Sequence, residues 1–178
     1  MRLTYFFCIA AVLLLAACKK PAQINFNCNL SGNLTTSTAI IGNAVTSFDA
    51  IASQPEPTFE INMNGPGGSS VNLIWYNLDS VNAEKNITDR TYTMPNRSAG
   101  LLAPFSVGAV YVPAGGNVSG VAYSTGSGSG GTITITGNSG PGGTISGGFS
   151  FTAINPYYPF DTVRVTNGTF TNVPVATQ

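Results

Sequence analysis

The sequence predicts an all-β protein, a single antiparallel β-sandwich of about ten short strands, with a small barrel as the alternative. Beyond an apolar leader, apolar and polar residues alternate in short runs, which places every second side chain on the same face of a strand. Gly and Pro contribute 21 and 11 of the 178 residues and separate these runs, as turn-forming residues do. After the leader, no stretch of about 11 or more residues has helical periodicity.

The first 17 residues predict a lipoprotein signal peptide. Arg2 precedes an apolar run from Leu3 to Leu15, and this run leads into Leu15-Ala16-Ala17-Cys18. A positive start, a short apolar stretch and small residues before a cut site are typical of a secretory signal. The position of Cys18 resembles a bacterial lipobox, so we expect cleavage before Cys18 and acyl chains on it. The alternative is an ordinary signal peptide in which Cys18 is incidental.

The mature chain then divides into a lipidated tether, residues 18–23, and a single β domain, residues 24–178. Asn residues alternate with Ile24, Phe26, Cys28 and Leu30, so these four side chains share a face and Cys28 is expected in the core. Further strands are predicted at 34–41, ending at Gly42, and at 44–52, 59–63, 71–78, 87–94, 105–112, 118–123, 132–136 and 145–153.

Two turns are predicted to join strands into hairpins. Residues 65–70 are rich in Gly and Ser and separate two apolar runs. Asn167-Gly168 lies between two alternating runs in residues 163–170, which is typical of a type I′ turn because both turn positions need a positive φ.

Composition excludes several functional classes. Lys and Arg number 7, Asp and Glu number 7, and His is absent. A nucleic-acid-binding surface is not expected without a basic excess, and Ser-His or Cys-His catalysis has no His to use. Beyond Cys18 only Cys28 remains in the mature chain, so neither an internal disulfide nor a Cys-based metal site can form. We expect no cofactor and no metal.

One glycine motif has the spacing of a dinucleotide site. Gly126, Gly128 and Gly131 fit G-x-G-x-x-G, but a Thr/Ile strand follows where the dinucleotide site needs a helix N-terminus. The segment is therefore predicted to be a loop.

The C-terminal half carries three motifs: Gly131-Thr132-Ile133-Thr134-Ile135-Thr136, the run from Ile145 to Ala153, and the run from Val163 to Phe170. Together they resemble a group of uncharacterised Bacteroidota lipoproteins that end in G-T-I-x-I-T, I-S-G-x-F-S-F-x-A and V-x-V-T-N-G-x-F. The resemblance implies an all-β, lipid-anchored protein of the cell envelope, without an established activity. Surface-exported lipoproteins of these bacteria often carry acidic residues after the lipidated Cys, and residues 19–23 have none. We therefore expect the periplasmic face of the outer membrane.

Two short motifs resemble the O-glycosylation acceptor pattern of Bacteroidota envelope proteins, D-[S/T]-apolar. They are Asp79-Ser80-Val81 and Asp161-Thr162-Val163. Ser80 and Thr162 are therefore candidate glycan acceptors.

An aromatic segment lies between two prolines, in Asn155-Pro156-Tyr157-Tyr158-Pro159-Phe160. Aromatic faces on a rigid loop can stack on sugars or anchor a protein partner, which makes Tyr157, Tyr158 and Phe160 candidate ligand contacts. The simpler expectation is that these rings cover the open end of the domain.

The sequence favours a non-enzymatic outer-membrane lipoprotein, attached to the membrane by its lipid, that binds or supports another envelope component, a protein or a glycan. The alternative is a surface-exposed module that binds a glycan or a protein through residues 155–160. A third hypothesis is a carboxylate-dependent hydrolase. Few charges are available for it, and Glu56 and Glu60 merely flank a Pro-rich segment.

Overall fold

The computed structural model describes residues 25–32, 38–49, 58–76, 87–94, 106–115, 122–126 and 128–176. These residues form ten β-strands and one 3₁₀ turn, Pro66–Gly68. The strands are β1 Phe26–Gly32, β2 Thr38–Asp49, β3 Thr58–Asn64, β4 Ser70–Tyr76, β5 Thr91–Thr93, β6 Ser106–Val112, β7 Tyr123–Ser124, β8 Gly131–Asn138, β9 Thr144–Ile154 and β10 Thr162–Pro174. The all-β prediction is confirmed.

Eight of these strands close into a barrel in the order β10-β1-β2-β3-β4-β6-β7-β9, and β9 pairs back onto β10. Every pairing is antiparallel. Along the rest of β9, β8 takes the place of the short β7, and β5 adds to the outer edge of β8. The closed ring matches the small barrel, the alternative, rather than the sandwich.

Alternation along the strands fills the barrel interior. In β1, Phe26, Cys28 and Leu30 are buried while the intervening Asn residues are exposed. Phe149 of β9 packs against Phe26 and Phe170, with ring centroids 6.3 Å apart in each pair. Burying one such side chain contributes about 1.5–3 kcal/mol. The prediction that Cys28 is a core residue is confirmed.

The predicted break at Gly42 is wrong, because β2 runs through it as one strand. The strand changes partner there, since Gly42 pairs with Phe26 of β1 and Asn43 pairs with Asn64 of β3. A Cβ at position 42 would overlap the Asn64 carbonyl oxygen. Glycine therefore permits a close backbone approach within the strand rather than ending it.

The predicted hairpin at Asn167-Gly168 is also wrong, because both residues lie inside the single strand β10. Asn167 has a positive φ of 52°, but Gly168 does not have the positive φ that a type I′ turn also needs. The register between β10 and β9 shifts between Val165 and Gly168, which marks a β-bulge. Gly168 lies against the ring of Phe149, where a Cβ would overlap ring atoms.

The remaining strand predictions differ in extent. The hairpin around residues 65–70 is confirmed by the pairing of β3 with β4. The strand predicted at 87–94 is reduced to Thr91–Thr93, and that predicted at 118–123 meets the described structure only at its end, where β7 begins. The leader and the tether lie outside the described residues. No helix among the described residues is long and apolar enough to cross a membrane.

Candidate functional site

The segment between β9 and β10, residues 155–161, forms a loop at one end of the barrel, which we call the aromatic loop. Its position follows from the pairing of β1 with β10. Asn25, just before β1, accepts a backbone hydrogen bond from Thr171 (2.9 Å), whereas Gly32, at the other end of β1, pairs with Val163 beside the loop. Since a strand rises roughly 3.3 Å per residue, the length of β1 puts about 20 Å between these points. The aromatic loop and the entry of the chain at Asn25 therefore lie at opposite ends.

The base of the aromatic loop is a polar network around Asn155, which is 2% exposed. Its Oδ1 accepts a hydrogen bond from the Tyr157 backbone N–H (3.0 Å), and its Nδ2 donates to Asp161 Oδ2 (3.1 Å). The backbone N–H of Asn155 donates to the Asp161 carbonyl (3.0 Å), and that of Asp161 to the Tyr158 carbonyl (2.8 Å). An Asn side chain that bonds the backbone two residues ahead stabilises a turn. The network holds the loop in a defined conformation.

Tyr123 of β7 joins this network from the barrel wall. Its hydroxyl donates to Asp161 Oδ2 at 2.7 Å, and its ring centroid lies 5.9 Å from that of Tyr111. Burial, the hydrogen bond to Asp161, the negative charge of Asp161 and the neighbouring Tyr111 together raise the pKa of Tyr123 to about 12. Tyr123 is therefore a hydrogen-bond donor that keeps its proton, not a general base near neutral pH.

The aromatic rings of the loop point away from this base into solvent. Tyr157, Tyr158 and Phe160 are 74%, 69% and 92% exposed, and Pro156 and Pro159 beside them are exposed as well. Rings that cover the end of a barrel would be buried against its core. The expectation that they cover the open end is therefore wrong, and all three sequence-predicted contact residues are exposed on the loop.

The other sequence-predicted sites are not part of this surface or lie outside the described residues. Thr162, the first residue of β10, is half-buried and pairs with Ile154, and its glycosylation stays a prediction. Ser80 and Cys18 lie outside the described residues, as does Glu56. Glu60 is half-buried on β3.

Two of the described carboxylates, Asp161 and Glu60, lie in separate parts of the fold. Asp161 is engaged by Tyr123 and Asn155, while Glu60 lies on β3, a strand that pairs with neither β9 nor β10. Among the described residues, no three Cys, Asp or Glu side chains come close enough together to hold a metal ion.

Cys28 is a further described group whose pKa departs from its ordinary value. Burial raises the pKa of its thiol to about 12. The reactive form of Cys is the thiolate, so burial suppresses thiol chemistry at this position.

Beside the aromatic loop, a shallow groove of about 400 Å³ crosses the outer face of β9. Ser150 and Thr152 line it, with Gly130 and Gly131 among the residues on one side and Arg164 on the other. Sequence reasoning did not identify this groove. The available signal was Arg164, the single charged residue in an otherwise neutral alternating run from Val163 to Phe170.

Comparison with known proteins gives a family but no activity. A family model described as Domain of unknown function (DUF6252) matches residues 68–174, which include the aromatic loop and the groove. No curated protein and no solved structure matches the chain.

Proposed function

Because the chain belongs to the family described as Domain of unknown function (DUF6252), whose description names no activity, we propose a function from the site. The protein is a non-enzymatic lipoprotein of the bacterial outer membrane, anchored through Cys18. Its barrel binds another envelope component, a glycan or a protein, through the aromatic loop. The anchor and the location rest on the sequence pattern of the leader and on the resemblance to Bacteroidota lipoproteins.

The observation that carries the binding role is the exposure of three large rings on a loop with a fixed backbone. Tyr157, Tyr158 and Phe160 are each more than two-thirds exposed, although their loop is hydrogen-bonded through Asn155 and Asp161. Aromatic residues provide a large contact area with few rotatable bonds. A loop already held in one conformation loses less entropy on binding. Exposed rings on a loop with a fixed backbone therefore favour a role for this loop in binding a partner.

The position of the loop supports the same proposal. The chain enters the barrel at Asn25, and the loop lies at the opposite end, next to Val163. A lipid on Cys18 would hold the Asn25 end nearer the membrane. The rings then extend away from the anchoring membrane, where they meet a partner rather than the lipid that holds the protein.

The binding role is tested with the full-length lipidated chain and a variant in which Tyr157, Tyr158 and Phe160 are all Ala. Separated envelope fractions provide the probes: purified peptidoglycan sacculi, extracted polysaccharide and outer-membrane proteins. We expect the wild-type chain to bind one fraction and the triple variant to lose at least about tenfold in affinity, since aromatic anchors commonly contribute 2 kcal/mol or more each.

A matched control replaces Ile41 and Val45 by Ala, because these side chains are 52% and 50% exposed on β2. It removes exposed apolar area away from the loop and is expected to bind as the wild type does. Melting curves that coincide for all three proteins show that folding is unchanged. Wild-type binding by the triple variant would overturn the proposal.

The location is tested by protease treatment of intact and lysed cells, followed by detection of the protein. Residence on the periplasmic face predicts protection until lysis. Cleavage in intact cells would place the barrel on the cell surface instead, with a partner outside the cell.

A further inference from the structure

We propose that the ligand is a glycan chain that carries carboxylate groups, and that it extends from the aromatic loop into the groove on β9, where Arg164 pairs with one carboxylate. This inference rests on the proposed function and names the ligand class of the same site. It follows from the openness of the groove, from the hydroxyl groups that line it and from the charge of Arg164.

The groove is open because glycine residues form one of its sides. Gly130 precedes β8 and Gly131 is its first residue, paired with Phe151 of β9, and neither glycine has a side chain. A Cβ at Gly131 would overlap the backbone of Ser150 and Phe151. Glycine thus keeps β8 close to β9 and leaves the outer face of β9 uncovered, so an extended chain can lie along it.

The walls of the groove present hydroxyl groups. Ser150 and Thr152 project from β9 and Thr166 from β10, and all three lie on the solvent side of the barrel as exposed or half-buried residues. A hydroxyl group both donates and accepts hydrogen bonds. Such a lining matches the hydroxyl groups of a sugar chain, which have the same two properties.

Arg164 adds one positive charge to this neutral lining. It is exposed, and its neighbours across the strands are Ser31 of β1 and Thr152 of β9. Among the described residues no carboxylate pairs with it, and Asp161, three positions earlier in the chain, is hydrogen-bonded to Tyr123. A guanidinium group binds a carboxylate through two parallel hydrogen bonds. A single Arg balances the single negative charge of one carboxylate.

The groove lies a short distance along β10 from the aromatic loop. Arg164 follows Asp161, the last residue of the loop, by three positions, which corresponds to about 10 Å along a strand. An extended glycan of a few sugar units spans this distance. One part of it can then stack on Tyr157 or Tyr158 while another places its carboxylate at Arg164.

The test measures binding of the full-length lipidated chain to polygalacturonate and to its fully methyl-esterified form, which has the same backbone without the charge. Purified peptidoglycan sacculi, whose glycan strands bear short peptides with free carboxylates, form the second arm. Binding to polygalacturonate points to a uronate-bearing polysaccharide as the ligand, and binding to sacculi points to the cell wall. We expect one of the two to bind, and the methyl ester to bind at least about tenfold more weakly than polygalacturonate if the uronate arm is the positive one.

Two single variants separate a specific contact from net charge. Arg164→Gln is expected to lose about tenfold in affinity for the carboxylated probe. Arg90→Gln removes the same charge from the exposed Arg90, which lies over the ring of Tyr92 away from the groove, and is expected to bind as the wild type does. Added salt should weaken wild-type binding and leave the remaining binding of Arg164→Gln less affected.

The outcomes distinguish the two proposals. Equal binding of the acid and ester polymers with no effect of Arg164→Gln would overturn the carboxylate inference, while a loss in the aromatic triple variant would still support the binding loop. Binding to neither the polymer nor sacculi would also overturn the inference. Carboxylate binding that needs Arg164 but not the three rings would support the groove and contradict the proposed role of the loop.

Discussion

The Tyr123 hydroxyl donates a 2.7 Å hydrogen bond to Asp161 Oδ2 and thereby connects β7 of the barrel to the last residue of the aromatic loop. Asp161 accepts a second bond from Asn155 at 3.1 Å. The three exposed rings lie between Asn155 and Asp161 in the chain, so the two residues that fix the loop are also its ends.

Removing the acceptor at position 161 should loosen the loop without unfolding the barrel. Asp161→Ala leaves the Asn155 amide and the buried Tyr123 hydroxyl without their shared partner, and an unsatisfied buried group costs about 1–3 kcal/mol. We expect faster hydrogen exchange at the Tyr157 and Tyr158 amides and a lower melting temperature. Tyr158→Phe, which changes an exposed hydroxyl, is the control and should leave both unchanged. Wild-type exchange in Asp161→Ala would show that the network does not fix the loop.

Tyr123 also predicts how stability depends on alkaline pH. Its pKa rises from 10.0 to about 12 in the folded protein, so between these values the folded state holds a proton that the unfolded state has lost. The contribution of Tyr123 to stability is therefore complete below about pH 10 and is lost as pH rises to about 12. The free energy of unfolding, measured by denaturant titration across this range, should fall less steeply in Tyr123→Phe than in the wild type. Cys28 is present in both proteins, so its own titration cancels in the comparison. Parallel curves would contradict the assignment.

The bulge in β10 predicts that one added methyl group at position 168 lowers the stability of the protein. Gly168→Ala would place a Cβ within the ring of Phe149, and overpacking of a core costs about 1–3 kcal/mol. Gly137→Ala is the matched control, because a Cβ at Gly137 meets no atom within 4 Å. Denaturation should show a clear loss of stability for the first variant and almost none for the second. Equal stability of both variants would mean that the Phe149 ring can move aside without a loss of folding free energy.

Cys28 should be inert in the native protein. Its side chain is 1% exposed, and burial raises its pKa to about 12, so both access and thiolate formation are suppressed. We expect a thiol reagent to label it only as fast as the barrel unfolds. Labelling of Thr169→Cys, on the exposed face of β10, provides the control and should be rapid. Fast labelling of Cys28 itself in the folded state would contradict its place in the core.

Alternation in the sequence was enough to predict most of the strands, because burial on one face depends only on side chains two residues apart. Phe59, Ile61 and Met63 of β3 and Phe149, Phe151 and Ala153 of β9 all lie in the core as their spacing predicts. Which strands neighbour one another depends on pairing over long distances in the chain. The choice of barrel over sandwich therefore could not be made from the pattern.

The wrong strand end at Gly42 and the wrong hairpin at Gly168 share a physical cause. Gly42 and Gly168 are glycines because another group, the Asn64 carbonyl or the Phe149 ring, comes very close to them. A local motif does not show such a neighbour. A local signal for the bulge did exist, since the inward positions change from odd numbers at Val163 and Val165 to an even number at Phe170, as one extra residue requires.

The candidate site was predicted in part. Its aromatic composition was visible in the sequence, but whether the rings lie on the core or in solvent depends on the network formed by Asn155, Asp161 and Tyr123. Tyr123 is far from the loop in sequence and could not be assigned to it. Arg164 could not be assigned to a site from the sequence, because the glycines and hydroxyl groups that line the groove with it come from other parts of the chain.

The pairing of Phe26 with Phe170 sets the order of events during biosynthesis. The barrel cannot close until its final strand has left the ribosome, and contacts between such distant segments form slowly. For a chain destined for export, as proposed here, this delay keeps the polypeptide unfolded long enough to be threaded through a translocase. A chain interrupted before β10 would instead expose β1 and β9 as unpaired edges, which are templates for aggregation.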